Sequence, residues 1–334
     1  MTDTHQLDDQ LDDIAVAWQV DGIDVNASLM RPAGSGPFPA VIMVAGSGPT
    51  DRNWNTPLIP GSNGSAALLA RALTDAGFIT LRYDKRGSGP HALENAARLA
   101  GKISLQGHLE ELAGGVDLLA GRPDVDAGRI FGLGNSEGCV HVLNYQAQAT
   151  RPFTGLILTA APARTIGVLA RSQIAAQVEP LPGGGALMAA YDAAMTDFAA
   201  DRPVAIDASL PEGLRNLILS VTYPGNQPFA RELWITDPRA LLAQVTAPVL
   251  IVIGQKDIQV DWQADGSLFE AMRPDRDNLT IVYPENASHV LKHEPRPRSQ
   301  VTPADAMATY SAADTQLDAE TVETITAWLR TVQS

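Results

Sequence analysis

A serine hydroxyl attacks a carbonyl only when a neighbouring base takes its proton, and that base needs an acid to hold its ring. Residues able to form such a set occur in G-N-S-E-G at 134–138, in Gln255-Lys256-Asp257 and in Ser288-His289. The first of these is a G-x-S-x-G. Ile130, Phe131 and Leu133 precede it as an apolar run suited to a buried strand. Val140, Leu143 and Ala147 follow it at helical spacing. Strand, sharp turn and helix together are the setting in which Ser136 is held up as a nucleophile. So tight a turn strains its central residue, and Gly134 and Gly138 leave it room. The N–H groups that open the helix favour negative charge beside the Ser136 hydroxyl.

The partners follow in the order serine, acid, histidine, each after an apolar run. Six histidines compete for the role of base. His5 lies in an acidic tail, and His91 and His108 precede the serine. His141 sits on the helix after Ser136, about a turn and a half along, where it packs or faces solvent. His293 falls in a basic, Pro-rich loop. His289 is therefore the expected base. Asp257 ends a strongly apolar strand, where a carboxylate needs a partner. Its rivals Asp261 and Asp265 suit a solvated loop, and Glu285 lies too close to His289 along the chain. Acyl transfer also requires two donors aimed at the developing oxyanion, each worth about 3 kcal/mol of barrier. The expected donors are the N–H of Glu137 and the N–H of Ser47, in Gly46-Ser47-Gly48-Pro49.

The elements that must position these residues can be read from periodicity and turn signals. Residues 14–31 alternate about Asp21-Gly22, as an antiparallel hairpin does. Strands are expected over 40–45, 78–83, 155–160, 248–253 and 278–283, and helices over 65–76, 105–119 and 319–332. Residues 292–312, interrupted by Pro295, Pro297 and Pro303, read as a loop. Between 163 and 245 there is no convincing strand. Amphipathic helical patterns replace it, and in one of them Leu187, Tyr191, Met195 and Phe198 share a helical period. The expected fold class is α/β, with a mostly parallel, doubly wound sheet built from 14–162 and 246–334. An α-helical cap spans 163–245, and an acidic tail covers 1–13. The notable residues then lie on four loops after strand C-termini.

Composition narrows the function. With 45% hydrophobic and 19% charged residues, the 334-residue chain has the make-up of a globular protein. A formal charge of −14 repels nucleic acid and anionic membrane, so neither is an expected partner. No apolar run approaches the ~20 residues of a membrane span. The stretch holding Asp3, Asp8, Asp9, Asp12 and Asp13 has neither the basic region nor the apolar core of a signal peptide, and a cytoplasmic location is expected. The single cysteine, Cys139, excludes an internal disulfide and a Cys-rich metal site.

Five motifs taken together resemble the α/β-hydrolases of the carboxylesterase and serine-aminopeptidase-like group. They are G-S-G-P-T-D-R-N at 46–53, Y-D-K-R-G at 83–87, G-N-S-E-G at 134–138, P-V-L-I-V-I-G-Q-K-D-I-Q-V at 248–260 and S-H-V-L-K at 288–292. The resemblance covers about 14–162 and 246–332, and leaves 163–245 unmatched. It implies the α/β-hydrolase fold, a Ser136–Asp257–His289 triad, an oxyanion hole at Ser47 and Glu137, and no cofactor or metal. Two departures stand out. Ala45 replaces a histidine that many relatives carry before the glycine, and Asn135 replaces the histidine common before the nucleophile. Two nearby pairs, Asp51 with Arg52 and Asp84 with Arg86, are expected to brace their loops.

The expected reaction is hydrolysis of a small-molecule carboxylic ester of short to medium acyl chain, through an acyl-enzyme on Ser136. Met188, Tyr191, Met195, Phe198, Tyr223, Phe229 and Trp234 are candidates to line the cap, most of them expected in the cap's own core. Amide or peptide cleavage by the same triad is one alternative. A non-catalytic small-molecule-binding protein of the same fold is another. Dehalogenation would need a carboxylate where Ser136 stands, and thioesters of CoA would need a basic patch. Self-association into a homo-oligomer stays open.

Overall fold

A computed structural model describes residues 13–312 and 314–332; the acidic stretch over 1–12, with His5, lies outside the described residues. Two strands, β1 (Ile14–Val20) and β2 (Ile23–Met30), form the expected antiparallel hairpin. Its two-residue turn places both Asp21 (φ 56°) and Gly22 (φ 70°) in the left-handed region, as the twist of a tight hairpin demands. The strands β3 (Phe38–Val44), β4 (Ile79–Tyr83), β5 (Val125–Asn135), β6 (Leu156–Thr159), β7 (Val249–Val252) and β8 (Leu279–Val282) complete one sheet. Its order is β1-β2-β4-β3-β5-β6-β7-β8. From β4 onward every pairing is parallel.

The continuous apolar runs reflect a sheet covered on both faces. On β3, Ala40, Ile42 and Val44 join one core cluster, while Val41 and Met43, with Ala45 just after the strand, join the other. The first face is covered by α3 (Leu105–Ala120) and α4 (Glu137–Gln148), through Leu112, Val116, Leu119, Val142 and Leu143. The second is covered by α1 (Ser65–Asp75) and α12 (Ala319–Val332), through Leu69, Leu73, Ile325 and Leu329. A short α2 (Ala92–Leu99) precedes α3.

Between β6 and β7 the chain forms α5 (Ile166–Val178), α6 (Gly184–Ala199), α7 (Glu212–Val221), α8 (Phe229–Ile235) and α9 (Pro238–Leu242). Met188, Tyr191, Met195 and Phe198 of α6 pack with Ile174, Val178, Leu210 and Ile218 into a core separate from those of the sheet. By contrast α9 packs on α4, and its Leu242 joins the sheet core. Three helices depart from the sequence reading: α2, α10 (Ala264–Glu270) and α11 (Pro303–Tyr310). The region expected as a loop around Pro303 is helical because the proline occupies the first turn, where its missing N–H is not needed. Thr302 and Asp305 close that turn as a capping box. No helix among the described residues is long and apolar enough to cross a membrane.

Candidate active site

The chain lays β4 on one side of β3 and β5 on the other, so the loops leaving β3 and β5 part at a topological switch point. Val44 pairs with Gly134, and two residues further on Gly46 and Ser136 leave the sheet side by side. Ser136 takes φ 55° and ψ −121°, in the left-handed region that a side chain rarely adopts, and its hydroxyl makes no cap bond to α4. The flanking glycines permit this. A Cβ on Gly134 would lie 2.4 Å from the Gly138 carbonyl oxygen, and one on Gly138 would lie 2.3 Å from that of Val44. The Ser136 N–H donates to the Thr159 carbonyl at 2.9 Å, which ties the turn to β6.

Asp257 and His289 reach the same rim from β7 and β8. Gly254 fits against the His289 loop so closely that a Cβ there would lie 2.0 Å from the Ala287 carbonyl oxygen. The Lys256 N–H donates to that same oxygen at 3.1 Å. Across this junction His289 Nδ1 lies 2.8 Å from Asp257 Oδ2. A carboxylate oxygen accepts, so in this contact Nδ1 is placed to donate, which leaves Nε2 available as an acceptor. Asp257 is completely buried, and its other oxygen accepts from the N–H groups of Gln259 (2.7 Å) and Val260 (2.9 Å). Ser136, His289, Ser47, Asn135, Trp54 and Tyr310 line one cavity of about 230 Å³. A second cavity, of about 460 Å³, lies beyond the 46–49 loop, between Lys85 and Glu137 on one side and Phe229, Leu233 and Trp234 on the other.

The rival residues have other employment. His91 is exposed and pairs with Glu94, and His293 contacts Asp318 at 3.4 Å. His141 is buried and contacts Glu137 at 3.0 Å, and its ring stacks on Phe229. Asp265, read as a loop decoration, is instead completely buried. It pairs with Arg164 at 2.7 Å and caps the N–H groups of Ala163 and Arg164, anchoring the start of the helical insertion. The expected braces are also re-paired. Arg52 binds Asp84 at 2.6 Å rather than Asp51, whose carboxylate turns to the N–H groups of Asn53 and Asn55. Arg86 binds Glu111 at 2.8 Å rather than Asp84. Neighbours in sequence diverge, and the pairs form with a loop and a helix that topology brings together.

Glu137 offers more than its backbone. Its carboxylate accepts from Lys85 Nζ at 2.6 Å, deep between the two loops. Burial alone would raise this carboxyl, but the charge of Lys85 and the hydrogen bond from His141 hold it below the usual carboxylate range. Burial pushes the neighbouring imidazoles down, His108 to about 3 and His141 to about 4, so both are neutral. The Glu111 carboxyl, also buried, is pushed up to about 7 despite Arg86. Burial pushes the Cys139 thiol up as well, which leaves it unreactive. Among the described residues no group of His, Cys, Asp and Glu is arranged to hold a metal ion.

No family model matches the chain. It is 24% identical over 268 residues to the esterase EstD of Thermotoga maritima, a match covering 78% of this chain and 56% of that protein. The chain thus spans little more than half the length of this relative. Among solved structures, the Pyrococcus furiosus esterase PF2001 superposes with a TM-score of 0.57 at 15% identity, over 97% of this chain and 92% of that one. Est1E of Butyrivibrio proteoclasticus, solved with ferulic acid bound, gives a TM-score of 0.54 at 20% identity, over 87% and 96%. With the strand order above, these likenesses define an α/β-hydrolase fold, the architecture its motifs resemble.

Proposed function

We propose that this protein is a serine carboxylesterase acting on small esters of short to medium acyl chain. Ser136 attacks the ester carbonyl, His289 takes its proton and returns it to the leaving alcohol, and Asp257 steadies the resulting imidazolium. The N–H groups of Ser47 and Glu137 receive the oxyanion, and water then frees the acid from Ser136. The observation that carries this reading is the buried 2.8 Å His289–Asp257 hydrogen bond at the cavity that Ser136 lines. Helices α5 to α8 act as a cap, with Phe229 and Trp234 facing the second cavity. A single, buried cysteine suits a reducing compartment, and we place the enzyme in the cytoplasm.

The test is turnover of p-nitrophenyl butyrate by wild type and Ser136→Ala. The variant is expected to lose at least about 10⁴-fold in kcat. Full activity in the variant would refute the assignment. Turnover of the matching p-nitroanilide, expected to be far slower, separates ester from amide hydrolysis.

A further inference from the structure

Lys85 follows β4 in the sequence D-K-R-G, and its side chain is 3% exposed. It is absent from the reaction outlined above, yet it touches both halves of the proposed oxyanion hole. Its Nζ donates to the Gly46 carbonyl at 2.6 Å and to Glu137 Oε1 at 2.6 Å. Gly46 C=O and Ser47 N–H belong to one peptide unit. The cis bonds among the described residues are Gly36-Pro37 and Gln227-Pro228, so this unit is trans and its C=O and N–H point to opposite edges. A cation fixed on the carbonyl therefore pins the plane and holds the Ser47 N–H on the far side. It also polarises the amide, which makes that N–H a stronger donor. The second bond of Lys85 grips the first residue of α4, whose own N–H is the other proposed donor. Ala45 offers this loop no side-chain donor, and Lys85 reaches it from the neighbouring strand instead.

We infer that Lys85 is a positioning residue that aligns and strengthens both oxyanion donors through the Gly46–Ser47 peptide and the Glu137 side chain. This rests on the proposed reading of the site. A plainer role would be to neutralise the buried Glu137 carboxylate, and the two roles separate experimentally. Lys85→Met strands that carboxylate and risks misfolding, whereas the double variant Lys85→Met/Glu137→Gln removes both charges. With p-nitrophenyl butyrate, both variants are expected to lose about 10- to 100-fold in kcat with KM within about threefold of wild type. Inhibition by a trifluoromethyl ketone, which forms a tetrahedral adduct, should weaken by the same factor. Binding of the matching unactivated ketone should not change. A double variant with wild-type kcat, or one whose loss lies in KM alone, overturns the inference. Ser136→Ala in the same assay keeps the two failures apart. If it abolishes turnover while the double variant stays fully active, the brace alone is wrong; if it stays active, the reading of the site is wrong too.

Discussion

At Ser136 the backbone holds an energetically unfavourable conformation, worth about 1–3 kcal/mol, that only the surrounding packing maintains. The same packing fixes Asp257, whose two oxygens divide their work: one binds the loop N–H groups of Gln259 and Val260, the other binds His289. Asp257→Asn should keep the first set through its amide oxygen and present an N–H to the imidazole, favouring the wrong tautomer. We expect kcat to fall about 10³- to 10⁴-fold with a melting temperature within a few degrees of wild type. Activity and calorimetry on one preparation would check both, and a variant with wild-type kcat would remove Asp257 from the mechanism. Residue types and chain order nominate Ser136, Asp257 and His289, which the structure brings to one rim of the sheet, His289 bonded to Asp257 and sharing a cavity with Ser136. They do not reveal Lys85 against Glu137, or Arg52 against Asp84, because a loop-to-loop distance is set by strand order and not by spacing along the chain.

The elements do their positioning through backbone contact. Gly254 lets the loop after β7 lie against the loop after β8, and no side chain fits between them. Gly254→Ala should destabilise the fold by about 1–3 kcal/mol and lower kcat, because it pushes the Asp257 and His289 loops apart. Denaturant titration would test this; an unchanged midpoint would show that the loops adjust freely. Strands and long helices were legible from their apolar periods, and α12 begins and ends where its pattern does. The missed helices α2, α10 and α11 are short, and a run of seven or eight residues gives too few turns for a period to emerge. In α11 the prolines that signal a break also hid a capped start, which Thr302-Pro303-Ala304-Asp305 spells out.

Over the whole molecule, the buried groups around Glu137 (His108, His141 and Glu111) are expected to make stability depend on pH. Unfolded, His108 and His141 return to an ordinary 6.5, and Glu111 to 4.5. Between about pH 4.5 and 6.5 the unfolded chain therefore binds two protons at the histidines that the folded chain does not. The folded chain binds one, at Glu111, that the unfolded chain does not. The unfolded state binds the excess proton, so stability falls as the pH drops through that window, by roughly 1 kcal/mol per pH unit. His108 makes no aligned hydrogen bond, although its Nδ1 lies 3.3 Å from Glu111 Oε2, and His108→Phe keeps the aromatic contact with Phe229. That variant balances the proton count, and its melting temperature should vary less between pH 6.5 and 4.5; parallel curves for the two proteins would disprove the proton assignment.

The joining of Ser136, His289 and Asp257 into one working set is tested most directly by reacting the folded protein with a fluorophosphonate and mapping the adduct by mass spectrometry. We expect a single adduct on Ser136, absent from Ser136→Ala and formed at least about 100-fold more slowly in His289→Gln. An adduct on another residue, or an unchanged labelling rate in His289→Gln, would contradict the account.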